Sequence, residues 1–311
     1  MTVASPKFGL LVRLSEPWPN LVAQWQELEA LGFDSLWVAD HFVVVSYEAW
    51  TALAGLASRT TRVRVGTLVT STAFRNPAFL AKEALTVDHL SNGRLELGLG
   101  AGAGGGLRPS GPEGRNRAGQ FDLDHSMTGL GRWRDSERVG RFREAVRIVD
   151  RLLRGETVTY EGKYYRVEEA SLGVTPLQRP RPPLIIAAYG PTMLKIAAAH
   201  ADKCVFGDRD AMEGKSPLGA VRERNARLDA DCQAVGRDPR TLDRMLLRYG
   251  RPGPENPWES TEAFSDLIAR YREAGISEFI FSYPPVGGQR PAILERVATE
   301  VIPKLREAPG A

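Results

Sequence analysis

From Phe8 onward, short apolar runs alternate with longer stretches in which apolar positions recur every three or four residues, and the alternation persists almost to the end of the chain. The runs read as strands at Phe8–Leu14, Ser35–Val38, Val63–Val69, Leu95–Leu99, Leu184–Ala188, Lys203–Phe206, Arg244–Tyr249 and Glu278–Ser282. The stretches between read as helices at Leu21–Leu31, Tyr47–Ser58, Pro77–Leu90, Glu137–Leu153, Thr192–His200, Leu218–Val235, Glu262–Ala274 and Pro291–Arg306. Eight strands alternating with eight helices is the arithmetic of a closed parallel barrel, an α/β fold of the (β/α)8 TIM type. An open doubly wound sheet in two domains is the alternative. Glycines 32, 93, 155, 236 and 275 stand where left-handed C-caps would end helices. EALGFDSLWV (29–38) is echoed by REAGISEFIF (272–281), a repeated helix-to-strand unit. Asn76-Pro77 reads as an N-cap followed by the first helical position.

Two segments break the repeat. Gly100 to Asp135 is rich in Gly, Pro and Arg with no lasting period, and such a long loop is functional or disordered; it leaves the barrel after strand four, with 104–135 expected to be a mobile active-site loop. Before strand five, 156–183 contains TVTYEGKYYRV, a hairpin turning at Glu161-Gly162 and expected to cover an edge of the barrel.

The length of 311 residues suits one such barrel, so 1–311 is expected to be a single domain. With 42% hydrophobic and 25% charged residues it has core enough for a globular fold. A net charge of +3 is too small for a nucleic-acid protein, and no apolar stretch is long enough for a membrane span. The start, Met1 to Lys7, lacks the apolar centre of a signal peptide, and a cytoplasmic location is expected. Cys204 and Cys232 lack metal-site or framework spacing, so two buried thiols and no metal are expected. The charge is concentrated: Gly104 to Arg143 holds eight arginines against five acids, a surplus equal to that of the whole chain. Arginines there, Arg138 among them, suit a phosphorylated cofactor or anionic substrate, or belong to a solvated, mobile loop. Phe121 and Trp133 are too few aromatics for nucleic-acid stacking.

In a parallel barrel, polar residues just after strands face the C-terminal mouth. Asp40-His41 follows the second strand, where an acid beside a histidine can orient its tautomer for proton transfer or merely cap a turn. GLGAGA (98–103) formally matches a dinucleotide fingerprint, but Gly104 to Gly106, Pro109 and Pro112 forbid the helix that reading needs. Bare backbone there lets a flat ring or a phosphate approach, or serves as a hinge. Ala188-Tyr189-Gly190 leads into a helix at Pro191, whose N-terminal amides are an anion site or an ordinary turn. Trp18, Trp50, Phe42 and Phe74 lie near strand ends and could line an apolar pocket or pack in the core.

In this order, LGFDSLWVADH (31–41), TRVRVGTLV (61–69), RNPAFLAK (75–82), LSNGRLELGLGAG (90–102) and the hairpin resemble the bacterial luciferase-like flavin- and deazaflavin-dependent oxidoreductases, over nearly the whole chain. RNPAFLAK looks most like members labelled as using the deazaflavin coenzyme. The resemblance implies a redox ring in the mouth, with Asp40 and His41 against the ring and the reacting substrate. It implies a bulge at Val69, Thr70 and Ser71 that supports one ring face, often with a non-proline cis peptide. Gly100, Ala101 and Gly102 would border the ring, and Ala188, Tyr189 and Gly190 would meet the phosphate. Ala103 stands where many deazaflavin-using members carry a proton-donating carboxylate. The activity expected first is therefore a monooxygenase using externally supplied reduced FMN and oxygen on a small organic molecule. The alternatives are hydride transfer with the deazaflavin coenzyme F420, or a flavin-binding protein without catalysis. In the first reading His41 shuttles a proton, the 104–135 loop is a lid with Phe121 or Trp133 over the substrate, and a separate reductase supplies the reduced flavin or deazaflavin. A homodimer through Trp50, Leu53 and Leu56 is expected, unless that face packs on the barrel.

Overall fold

The computed structural model describes residues 5–43, 45–102, 124–125, 127–131, 133–207, 217–250, 255–284 and 289–307. Strands β1 (Lys7–Val12), β2 (Ser35–Val38), β3 (Arg64–Ser71), β4 (Leu95–Gly100), β7 (Leu184–Ala187), β8 (Lys203–Gly207), β9 (Asp243–Arg248) and β10 (Glu278–Tyr283) pair in parallel into a closed barrel. Its order is β1-β10-β9-β8-β7-β4-β3-β2. Around it lie α1 (Trp18–Ala30), α2 (Ala49–Ala57), α3 (Pro77–Leu90), α4 (Asp135–Leu153), α5 (Pro191–His200), α6 (Pro217–Ala234) and α7 (Thr261–Glu273). The last helical stretch, α8, runs through Leu294–Arg296, Val297–Val301 and Ile302–Glu307.

All eight strands and eight helices read from the sequence are present, and the open-sheet alternative is excluded by closure. Closure is visible at β1, where Leu10 pairs with Leu36 of β2 on one side and Phe281 of β10 on the other. The two echoing segments thus flank the same strand. Gly32 and Gly275, at corresponding places in them, both have φ of 90°, a backbone that a side chain would strain. Asn76 caps α3 as expected, accepting from the Ala78 amide at 2.9 Å.

Parallel strands covered on both faces need apolar residues on both, and the structure separates them into two sets. Leu10, Leu36, Val65, Leu97, Ile186 and Phe281 face the helices in the main core. Leu11, Trp37, Leu68, Ile185, Val205, Met245, Leu247 and Ile280 fill the barrel interior. At the N-terminal ends of the strands the interior is ionic. Lys203 Nζ lies 2.7 Å from both Glu96 and Glu278, and Arg64 also pairs with Glu96. Burial opposes the charge on Lys203, but the two carboxylates outweigh it and raise its pKa. This end is closed by charge, and the opposite end is the mouth.

The hairpin is β5 (Val158–Glu161) and β6 (Arg166–Ala170). A closed barrel has no edge to cover, so the expectation that the hairpin shields one is corrected: it rides on α4. Glu144 of α4 accepts from the amides of Lys163, Tyr164 and Tyr165 at 2.9 to 3.0 Å. The turn occupies residues 162–165 rather than two residues, because Glu161 pairs with Arg166. Downstream, the buried Asp88 of α3 accepts from the amides of Leu177 and Gln178, holding the return to β7.

The expected dimer face is also corrected. Trp50, Leu53 and Leu56 are buried within this chain, and Trp50 Nε1 donates to Thr70 at 3.2 Å. Trp18 packs edge-on against Tyr47 with centroids 6.0 Å apart, between α1 and α2. Cys204 and Cys232 are free and buried as expected. No described helix is long and apolar enough to cross a membrane.

Candidate active site

The mouth is shaped first by an irregularity in β3. Its pairing with β4 runs Thr67 to Leu97 and resumes at Thr70 to Leu99, so Leu68 and Val69 together oppose Gly98. The Leu68–Val69 peptide is cis. The bulge expected at Val69 to Ser71 is therefore present but begins one residue earlier, and Thr70 and Ser71 are back in register. Glycine is required opposite it. A Cβ on Gly98 would lie 2.0 Å from the Thr67 carbonyl oxygen, and one on Gly100 would lie 2.6 Å from Val69 Cγ2. These two glycines make room for the neighbouring strand.

Period-two alternation assigns the remaining candidates to opposite faces. Val69 and Ala187 sit with Ala39 and Tyr249 at the open end of the interior cluster, partly exposed. Ala101 and Ala188 belong to the helix-facing core, so only their backbone can border the mouth. Thr70 also faces outward, inside a buried chain in which Trp50 donates to Thr70, Thr70 to Thr67 at 2.8 Å, and Thr67 to the Gly98 carbonyl at 3.0 Å. That chain braces the bulge from behind. Gly102 has φ of 75°, and its carbonyl accepts from Arg138 Nη1 at 2.5 Å, while Arg138 Nη2 reaches Asp135 at 3.1 Å. Arg138 thus ties the end of β4 to the start of α4.

Asp40 and His41 both follow β2, but they work with different partners. Asp40 is buried at 6% exposure and accepts from the Ser71 amide at 3.1 Å and from Arg75 Nη1 at 2.5 Å. Arg75 also pairs with Glu48, the N-cap of α2, and with Glu83 on α3 at 3.1 Å. Burial pushes the Asp40 carboxyl up, and Arg75 only partly offsets it. Among the described residues, the carboxylate set on His41 is Asp124, whose Oδ2 is 3.0 Å from Nδ1. Asp124 Oδ1 accepts from the amides of Phe42 and Val43 at 2.9 and 2.8 Å. Burial alone would raise the Asp124 carboxyl, but the His41 and amide hydrogen bonds outweigh it and hold it low. The expectation that Asp40 orients His41 is therefore corrected.

Asp124 was missed because it lies 83 residues from His41 in an aperiodic loop, where neither spacing nor pattern marks it. Arg75 was visible only as part of RNPAFLAK. The Asp124 turn is itself supported, since the ring of the next residue, His125, lies 6.4 Å from both Phe74 and Trp133. Trp133 carries Arg141 over its other side at 4.2 Å and so belongs to a packed column with the hairpin, not to an open cover. Phe42 is exposed at the rim, and Phe121, Ala103 and most of the 104–135 loop lie outside the described residues.

Across the mouth, α5 begins at Gly190 and Pro191 with no side-chain cap on its first amides. Among the described residues, a Cβ on Gly190 would meet nothing within 4 Å. The Tyr189 hydroxyl folds back over Gly207, and Arg224 lies 5.3 Å from its ring. Among the described residues no cluster of His, Cys, Asp and Glu could hold a metal.

The closed parallel barrel defines a (β/α)8 protein, and the bulged third strand, the histidine–carboxylate pair and the α5 terminus make the strand C-termini its candidate site. A family profile described as luciferase-like monooxygenase matches residues 1–275. The chain belongs to that family and is an oxidoreductase of the luciferase-like class. It is 32% identical over 255 residues to the F420-dependent glucose-6-phosphate dehydrogenase of Mycolicibacterium fortuitum, covering 77% of this chain and 67% of that one. The same-named protein of Kineococcus radiotolerans is also 32% identical, with the same coverage. Among solved structures, the coenzyme F420-dependent tetrahydromethanopterin reductase of Methanopyrus kandleri superposes with a TM-score of 0.75 at 18% identity, over 97% of this chain and 100% of that one. A monooxygenase from Streptomyces bottropensis gives 0.71 at 19%, over 96% and 99%. At such identities these two structures show the shared fold.

Proposed function

We propose that the protein uses the deazaflavin coenzyme F420 to oxidise or reduce a small organic substrate, with His41 exchanging the proton that accompanies the redox step. The observation that carries this reading is the His41–Asp124 pair at the mouth, a proton-transfer group with its own orienting carboxylate. The dehydrogenase relatives at 32% identity support the choice of coenzyme.

The described residues fit such a group. Leu11, Leu68 and Leu247 form an apolar floor, and Val69 projects from the bulge above it. The α5 terminus, which has no side-chain cap at Gly190, offers amides for a phosphate. When bound, the coenzyme supplies two-electron chemistry; the chain orients it and handles the proton. In the direction of alcohol oxidation, His41 would take the hydroxyl proton, and the coenzyme, when held at the mouth, would supply the acceptor for the hydride from the carbinol carbon. Asp40 acts one step removed, holding the Ser71 amide beside the bulge. The reading further entails a cytoplasmic setting and a separate enzyme that restores the coenzyme.

A second reading, monooxygenation with reduced FMN, is favoured by Ala103, since the carboxylate that many deazaflavin-using members carry there is missing. Titration of the protein with F420 and with FMN, each oxidised and reduced, separates the two. Saturable perturbation of the F420 spectrum and anaerobic turnover support the first reading. Saturation by reduced FMN with oxygen uptake replaces it by the second, and no saturation with either coenzyme sinks both.

A further inference from the structure

We infer that Asp124 is a positioning residue that fixes the tautomer of His41, keeping the proton of the neutral ring on Nδ1 so that Nε2 carries the lone pair at the mouth. The inference rests on the reading of His41 as the proton-exchanging group, but its central observable requires no coenzyme.

The geometry divides the work of one carboxylate between its two oxygens. Oδ1 is occupied by the Phe42 and Val43 amides, which fixes the Asp124 side chain against the backbone that follows His41. Oδ2 is thereby presented to Nδ1 at 3.0 Å. The Asp124 side chain is 2% exposed and that of His41 is 28% exposed, so the shared hydrogen bond lies on the sheltered side of a partly open ring. An ionised carboxylate only accepts, and hydrogen bonds hold the Asp124 pKa low, so the carboxylate is ionised at neutral pH and Nδ1 must donate. Once Nδ1 holds the hydrogen of the neutral ring, Nε2 is the nitrogen that accepts a proton. The turn that carries Asp124 is secured from within, as Thr128 Oγ1 donates to the Asp124 carbonyl at 2.6 Å. The sequence neighbour Asp40 is committed to Arg75 and Ser71.

Asp124→Asn tests this with little change of shape. The amide oxygen can keep the Phe42 and Val43 contacts, while its NH2 replaces Oδ2 and donates to Nδ1, which forces the ring hydrogen onto Nε2. The chain has four histidines. In 15N-histidine-labelled protein above pH 8, the His41 signal is assigned by its loss in His41→Asn. Long-range proton–nitrogen spectra should show the Nδ1–H tautomer in the parent and the Nε2–H tautomer in Asp124→Asn. Turnover with F420 should fall on the order of 10²-fold or more in kcat, the usual scale of positioned proton transfer, with KM little changed. A contribution limited to capping the 42–43 backbone would leave the tautomer unchanged in the variant, and that result overturns the inference. An Nε2–H or mixed parent spectrum also overturns it, and does not depend on how Asp124→Asn folds. Neither result touches the coenzyme titration, which judges the proposed function separately.

Discussion

Arg75 reaches back from the start of α3 to close on Asp40 at the end of β2, with Nη1 2.5 Å from Oδ2, and the same guanidinium meets Glu48 and Glu83. One cation therefore serves three carboxylates drawn from three elements around the bulge. Replacing it by an apolar side chain leaves Asp40 buried and uncompensated, at a cost of about 3–5 kcal/mol. The pH dependence has a definite sign. The folded-state pKa of Asp40 is already raised by burial and rises further without Arg75, so the destabilisation is smallest at low pH, where the carboxyl is protonated in both states. Urea unfolding of Arg75→Met should show a deficit that grows from pH 4 to pH 8. A deficit independent of pH would show that the carboxylates are not its source.

The glycines of the mouth make opposite predictions. Gly100→Ala drives a methyl into Val69 and should cost about 1–3 kcal/mol, since the bulge must shift to admit it. Gly190 has φ of −95° and an added methyl would meet no described atom within 4 Å, so Gly190→Ala should raise stability by about 0.4–1 kcal/mol. If a coenzyme phosphate sits at the α5 terminus, the same methyl should weaken binding by roughly tenfold, about the 1.4 kcal/mol of one lost contact. Thermal melts paired with coenzyme titrations read both effects, and unchanged affinity in Gly190→Ala would move the phosphate elsewhere.

At the closed end, Lys203→Met strands Glu96 and Glu278 inside the barrel. The loss should be about 3–5 kcal/mol, and adding Glu96→Gln and Glu278→Gln should recover much of it. Denaturant midpoints of the single and triple variants measure this. A single variant as stable as the parent would mean the triad carries no net charge balance in the fold.

Cys204 is buried and its thiol is pushed up to about 12, and burial also raises Cys232. Both should resist a thiol-selective disulfide reagent at pH 8 in native protein and react promptly in urea. Rapid native reaction of either would contradict their burial.

Read from one end to the other, the sequence determined the barrel. Strand and helix periods are local, and a chain that repeats strand–helix eight times has few ways to cover every apolar face besides closing on itself. The sequence also marked Asp40 and His41, because residues just beyond a parallel strand fall at the mouth whatever else the fold does. It did not say which acid serves which base. Asp124 reaches His41 across 83 residues, and Arg75 takes Asp40 away across 35. Such pairings depend on where loops and helix starts return to the rim, and no periodicity encodes that. The offset of the bulge and the turning of Ala187 inward and Ala188 outward were likewise decided by register between neighbouring strands, a property of the closed sheet and not of either strand alone.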